Sequence, residues 1–322
     1  MRTGPQIMRS LSSHIVEWLL PFTGIKRGFA SEAALRRWID KSRRGKPALP
    51  SRWIRRQVAV EEQVLSASRV ITLAPKGGSS HVHLLYLHGG AYVLDIAPAH
   101  WAFVAWLVRF TSCRATVPLY PLAPEHDWRD IFGLLVPLAE RLIAESGQEN
   151  VIVMGDSAGG GLALSIAQQL RDMGRPQPAR LILLSPGLDM TFSDSRQAEL
   201  ARIDPILDLP GVMAAAKWYA GDLSPADPKI SPLFGSVAGL PPIAVFTGTR
   251  DLLNPDAHRL KAKAAQDDAP LTLYEYDGMF HVWPLAPLPE ARLAKEQMKF
   301  LILDTPPGPR STGPHGRPQG KA

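Results

Sequence analysis

The sequence predicts an α/β protein: a mainly parallel, eight-stranded sheet with helices on both faces. Three observations carry this. Short β-branched or apolar runs recur at "QVAVEE", "SRVITLA", "VHLLYLH", "CRATVPL", "NVIVMGD", "RLILLSP", "PIAVFTG" and "LTLYEY". From "VHLLYLH" onward most are separated by helix-like segments at 98–110, 127–146, 158–173, 253–267 and 289–303. Strands alternating with helices make parallel sheets, because each crossover helix covers one face. The chain of 322 residues, 45% hydrophobic and 20% charged, also has the length and composition for a large core.

Taken in order, residues 1–50 read as helical pieces broken at Pro21 and Gly28. "SEAALRRWIDKSRR" is the clearest helix, with Ser31 as N-cap. The first two or three strands have no helix between them and should pair antiparallel at one edge. The gap from Asp189 to Pro241 contains a further helix, "DLPGVMAAAKWYAGD", and reads as an insertion. The end, "TPPGPRSTGPHGRPQGKA", is rich in Pro and Gly and is expected to be disordered from about Asp304.

The net charge of +6 sits at the ends. Residues 1–60 hold 13 Lys or Arg against Glu17, Glu32 and Asp40, while residues 61–309 are net negative. A solvated helical face and a loose tail account for this, so nucleic-acid binding is not expected. "IVEWLLPF" is amphipathic with basic flanks, which suits a weak attraction to anionic membrane surfaces. Glu17 and Pro21 interrupt that run, so no cleaved leader is expected. No run approaches the ~20 apolar residues of a membrane span. One cysteine, Cys113, excludes an internal disulfide framework and suits a reducing, cytoplasmic setting.

The strongest motif is "VIVMGDSAGGGLALSIAQQL". An apolar strand ends at Gly155, Ser157 follows, and Gly159, Gly160 and Gly161 open a helical pattern. This is G-x-S-x-G in a strand–turn–helix context. Ser157 must then stand at the tip of a sharp turn, and side chains at 155 and 159 would collide with the neighbouring strand and helix. A phosphate loop is the rival reading, but no G-K-[ST] follows and Asp156 would repel a phosphate.

A nucleophilic serine needs a base, and the base an orienting acid. Hydrolases with this turn run Ser, acid, His in chain order. After Ser157 come only His258, His281 and His315. His315 lies in the tail and His258 within a helical run. His281, in a loop after the final strand, is the candidate base. Asp251, just after "PIAVFTG", is the candidate acid, with Asp256 the alternative. A tetrahedral oxyanion also needs donors. Ala158 N–H is one, and Gly89 and Gly90 of "LHGGAY" can bring two more close to a reacting atom. His88 reads as a hydrogen bonder holding that loop.

Together "HGGAY", "GDSAGG", "RDLL" and "GMFHVW" resemble the hormone-sensitive-lipase-like branch of the α/β-hydrolases, the bacterial family IV carboxylesterases. "YPLAPEHDW", "LLSPGLDM" and "DPKISPLFG" are similar to further stretches of that family, and the likeness spans about 80–303. It implies the α/β-hydrolase fold with a small helical cap, placed at 1–55 and in an insertion about 190–225, on a catalytic body at 56–303. It assigns Ser157, Asp251 and His281 as the triad and Gly89, Gly90 and Ala158 as oxyanion donors. Two departures stand out. Ala91 replaces a third glycine and would be strained at positive φ. Pro121 replaces an arginine, so an ion pair from that arginine is absent.

The expected activity is serine carboxylic-ester hydrolysis on short- to medium-chain acyl esters. The pocket is expected to be lined by Tyr92, Met213, Trp218, Tyr219, Phe280 and Trp283. Alternatives are a lactone hydrolase, a serine amidase or peptidase with the same triad, and, more remotely, a non-catalytic ligand-binding member. No cofactor or metal is implied, since H-E-x-x-H and cysteine clusters are missing. Many relatives dimerise through a sheet edge, so a homodimer is expected.

Overall fold

The computed structural model describes residues 9–305. Four helices come first: α1 (Leu11–Leu19), α2 (Ile25–Phe29), α3 (Glu32–Arg43) and α4 (Arg52–Gln57). Then come β1 (Ala59–Leu65), β2 (Ser68–Ala74), β3 (His83–Leu87), α5 (Pro98–Thr111), β4 (Arg114–Pro118), α6 (Trp128–Ser146), β5 (Val151–Asp156), α7 (Ala158–Asp172) and β6 (Arg180–Leu184). The chain continues through α8 (Arg196–Ile203), α9 (Leu209–Ala220), β7 (Ile243–Gly248), α10 (Asn254–Gln266), β8 (Leu271–Tyr276) and α11 (Pro289–Leu303).

The eight strands form one sheet in the order β1-β2-β4-β3-β5-β6-β7-β8. β1 and β2 pair antiparallel at one edge, β2 meets β4 antiparallel, and the rest run parallel. The third strand is therefore not part of the antiparallel edge: β3 crosses over β4 to lie against β5. Alternate residues feed opposite faces. Leu85, Leu87, Val151 and Val153 join one core with α6, α7 and α10, whereas Leu84, Tyr86, Ile152 and Met154 join the other with α5 and α11.

Ser31 caps α3 by accepting from Ala34 N at 3.1 Å. The expected break at Gly28 falls elsewhere, at Gly24 (φ 78) and around Ala30–Ser31. Gly28 lies inside α2, where a Cβ would sit 2.2 Å from the Trp38 ring; it is a close-packing glycine and not a helix break. The disorder expected from about Asp304 does not hold for Asp304 and Thr305. Asp304 caps α11, and Thr305 is buried with its carbonyl 2.9 Å from His81 Nε2. Residues 306–322 lie outside the described residues.

The N-terminal helices and the 190–225 segment form one layer. A Cβ on Gly211 of α9 would come within 2.5 Å of the Phe29 backbone of α2. Arg36 of α3 lies 4.4 Å over the Trp218 ring, and Lys26 donates to the carbonyls of Ala201 and Asp204.

Candidate active site

Ser157 follows β5 directly and has φ 53, ψ −121, a conformation that costs a non-glycine residue free energy and persists only where its surroundings enforce it. They do so here. Ser157 N donates to Leu184 O, and Ser157 O accepts from Gly160 N, Gly161 N and Gly187 N at 2.9–3.2 Å. The glycines permit this approach. A Cβ at 155 would lie 2.3 Å from Gly159 O, and one at 159 would lie 2.0 Å from Leu87 O.

His281 Nε2 lies 2.9 Å from Ser157 Oγ, and His281 Nδ1 lies 3.0 Å from Asp251 Oδ1. A carboxylate only accepts, so Nδ1 carries the proton and Nε2 accepts from the serine hydroxyl. The loops after β7 and β8 hold this line. Thr249 N donates to Tyr276 O, Arg250 N to Met279 O, and Gly278 N to Thr249 Oγ1. Val282, at φ 54, donates its N–H to Ser185 Oγ. Burial opposes the charged imidazole of His281. The charge and hydrogen bond of Asp251, then Asp204 and Asp156, outweigh it, and the ring stands above its ordinary value.

The weighed alternatives fall away from this line. Asp256 accepts instead from Gln197 and Arg259, and His258 lies 2.6 Å from Glu275. His315 lies outside the described residues.

Gly89, Gly90 and Ala158 border the same cavity as Ser157 and His281. Among the described residues their N–H groups make no hydrogen bond to protein. Ala91 does sit at positive φ (53), and Tyr92 beside it at 64. The loop is clamped around them: Val93 N and Leu94 N donate to Gly90 O, Ala123 N donates to Tyr92 O, and Arg43 of α3 donates to the carbonyls of Val93 and Ala123. His88 donates from Nδ1 to Gly89 O at 2.7 Å, and its own carbonyl accepts from Tyr120 at 2.6 Å. Burial, then the nearby His100, push this imidazole down to about 4, so it stays neutral.

Two buried features escaped the sequence reading. Asp156 Oδ1 accepts from Tyr86 at 2.6 Å and Oδ2 accepts from His100 Nε2 at 3.2 Å; His100 Nδ1 in turn accepts from Ala97 N. Asp204, fully buried between α8 and α9, accepts from Ile206 N, Leu207 N and Leu252 N, the last being the neighbour of Asp251. Burial, and then the charge of Asp251, push the Asp204 carboxyl up to about 6. Asp251 Oδ2 is buried with no hydrogen-bond partner among the described residues.

The cavity measures about 660 Å³. Val16 of α1, Leu20 just after it, Phe29 of α2, Trp38 of α3 and Val212 and Ala215 of α9 contribute to its wall. Of the six residues expected there, Tyr92 and Phe280 line it. Met213 and Trp218 do not, because α9 turns Val212, Ala215 and Tyr219 inward. Met213 is half exposed, and Trp218 packs under Arg36. Tyr219 lies behind the wall, stacked on Tyr92 with centroids 3.8 Å apart. Trp283 is wholly buried beside Tyr276 in the core facing α5 and α11.

Residues 84–285 match the model of a family described by its alpha/beta hydrolase fold. The chain belongs to the α/β-hydrolase family. This hydrolase is 32% identical over 215 residues to an esterase of Acinetobacter venetianus, covering 66% of the present chain and 71% of that protein. It is 33% identical over 219 residues to an acetyl-hydrolase of Streptomyces hygroscopicus, covering 66% and 72%. Among solved structures it resembles an esterase/lipase from an uncultured bacterium, with TM-score 0.79, 28% identity and 91% and 98% of the two chains covered. A second likeness is the esterase EstE5 soaked with p-nitrophenyl butyrate, with TM-score 0.80, 27% identity and 92% and 99% covered.

Proposed function

We propose that Ser157, His281 and Asp251 act as nucleophile, base and orienting acid, and that Gly89, Gly90 and Ala158 donate to the oxyanion. The enzyme is a serine carboxylesterase. The observation that supports these roles is the continuous line Ser157 Oγ–His281 Nε2, His281 Nδ1–Asp251 Oδ1, at 2.9 and 3.0 Å, opening on an apolar cavity. His281 takes the Ser157 proton as Oγ attacks the ester carbonyl. The three N–H groups meet the developing negative charge. His281 then protonates the departing alcohol, and an acyl-serine remains. Water, deprotonated by His281, releases the acid and restores Ser157. Asp251 holds the imidazole tautomer and stabilises its positive form.

The helices of 1–55 and the 190–225 segment act as one cap, since both supply cavity wall. A cavity of about 660 Å³ under that cap suits short to medium acyl chains on a small-molecule ester. The proposal also includes a cytoplasmic setting, consistent with the single buried Cys113, and a homodimer. At the β8 edge, exposed Phe300 and Leu293 of α11 suit such a contact. No helix among the described residues is long and apolar enough to cross a membrane.

Labelling tests the assignment. An ethyl p-nitrophenyl phosphonate should add one adduct per chain, mapped by mass spectrometry to Ser157. A stable adduct on another residue, with Ser157 unmodified in the inactivated enzyme, would remove the proposed nucleophile.

A further inference from the structure

Helix α1 and the turn after it carry large apolar side chains facing outward. Leu11, Ile15, Trp18, Leu19 and Phe22 are 75, 50, 67, 47 and 69% exposed. Their spacing places all five on one helical stripe. The orientation is enforced by the opposite face. Ser10 N and Oγ donate to Glu290, as does the buried Ser13 hydroxyl, at 2.6–3.2 Å. Glu17 accepts from Arg250 at 2.8 Å and also pairs with Arg9. Rotating the helix to bury its stripe would break every one of these bonds. Val16 and Leu20, between the two faces, line the cavity, so the helix that carries the stripe also forms part of the wall of the substrate site.

An exposed apolar stripe beside a binding cavity marks an interaction surface. Charge selects the partner. Arg27, Arg36, Arg37, Lys41, Arg44 and Lys46 of the same N-terminal region are exposed, and Lys46 also borders the cavity. With 13 bases against three acids in residues 1–60, a second copy docked on this face would meet strong like-charge repulsion, whereas an anionic surface would be attracted. We propose that the outward stripe of α1 seats the enzyme on an anionic lipid surface, with the cavity rim turned toward the acyl chains. The stripe enters the acyl boundary and the exposed bases of the N-terminal region meet lipid phosphates. This rests on reading the cavity as the ester site, and it makes membrane-partitioned esters the favoured substrate class.

Flotation of the full chain with vesicles of phosphatidylglycerol and phosphatidylcholine, against phosphatidylcholine alone, tests this. The enzyme should float with the anionic vesicles and be released by salt. Trp18→Glu/Phe22→Glu, and the milder Leu11→Gln/Phe22→Gln, should weaken that binding about tenfold or more. Both should hydrolyse dissolved p-nitrophenyl butyrate within about twofold of the parent enzyme, which also reports that they fold. Failure of the parent to bind anionic vesicles would overturn the proposal, as would equal binding by both variants or to both vesicle types. Conversion of a dimer to a monomer by the variants, with no vesicle binding by the parent, would show the stripe to be a self-interface. Absence of butyrate hydrolysis by the parent would instead count against the esterase reading and leave the binding result standing.

Discussion

The carboxylate of Asp156 packs so closely on Gly89 that a Cβ at position 89 would lie 2.3 Å from Oδ2. Gly89→Ala must therefore push the loop of the proposed oxyanion donors off the buried Asp156, which Tyr86 and His100 hold in place. A misplaced donor of this kind costs about 10²-fold in kcat. Ala91→Gly, two residues on, relieves a positive φ and gives up some chain entropy in exchange. It should leave kcat within about threefold and stability within about 1 kcal/mol. Steady-state kinetics of the two variants test this; similar losses in both would contradict the proposed donor set.

Val212 projects from α9 into the cavity wall. Val212→Phe should fill part of the acyl site and lower kcat/KM for an octanoate ester about tenfold relative to an acetate ester. An unchanged ratio would place the acyl chain elsewhere in the cavity.

In the proposed mechanism His281 must be neutral to accept the Ser157 proton. Its value is raised, chiefly by Asp251 working against burial, so kcat/KM should fall with acid along a limb centred above about 6.5. Asp251→Asn should cut the rate by about 10³-fold or more and move that limb to lower pH. A parent limb centred below the ordinary histidine value would contradict the electrostatics described.

Asp256 is fully buried. Burial first, then the charge of Asp189, push it up to about 7 from an ordinary 3.8. Between these values the folded chain binds the proton and the unfolded chain has lost it. This residue's contribution therefore falls as pH rises through that window and is level above it. Asp256→Asn does not titrate, and Arg259 keeps its bond to Asp189. The stability of the variant relative to the parent should rise from pH 4.5 to 7 in urea titrations. A constant difference, or one of opposite slope, would contradict the assignment.

Most of the architecture was legible because local rules decide it. "SRVITLA" and "LTLYEY" coincide with β2 and β8, and the helix-like segments match α5, α6, α7, α10 and α11 to within a residue or two. The meeting of Ser157, Asp251 and His281 was legible because each follows a strand pattern on the same sheet edge. The pairing of β2 with β4 was not, since nothing local to β3 says which neighbour it takes. His100 and Tyr86 were missed because they meet Asp156 from 56 and 70 residues away, and Asp204 because it meets Leu252 from 48. Met213 and Trp218 were misplaced because an aromatic or sulfur side chain signals burial without saying toward which surface its helix turns it. α9 is apolar on more than one face, and only its packing on α2 and α3 fixes its rotation.

The central claim is that Ser157 forms an acyl-enzyme with His281 as its base. Stopped-flow hydrolysis of p-nitrophenyl butyrate tests it most directly. The account predicts release of p-nitrophenol that depends on Ser157, with Ser157→Ala slower by about 10³-fold or more in a protein that still folds. Undiminished hydrolysis by folded Ser157→Ala would contradict it.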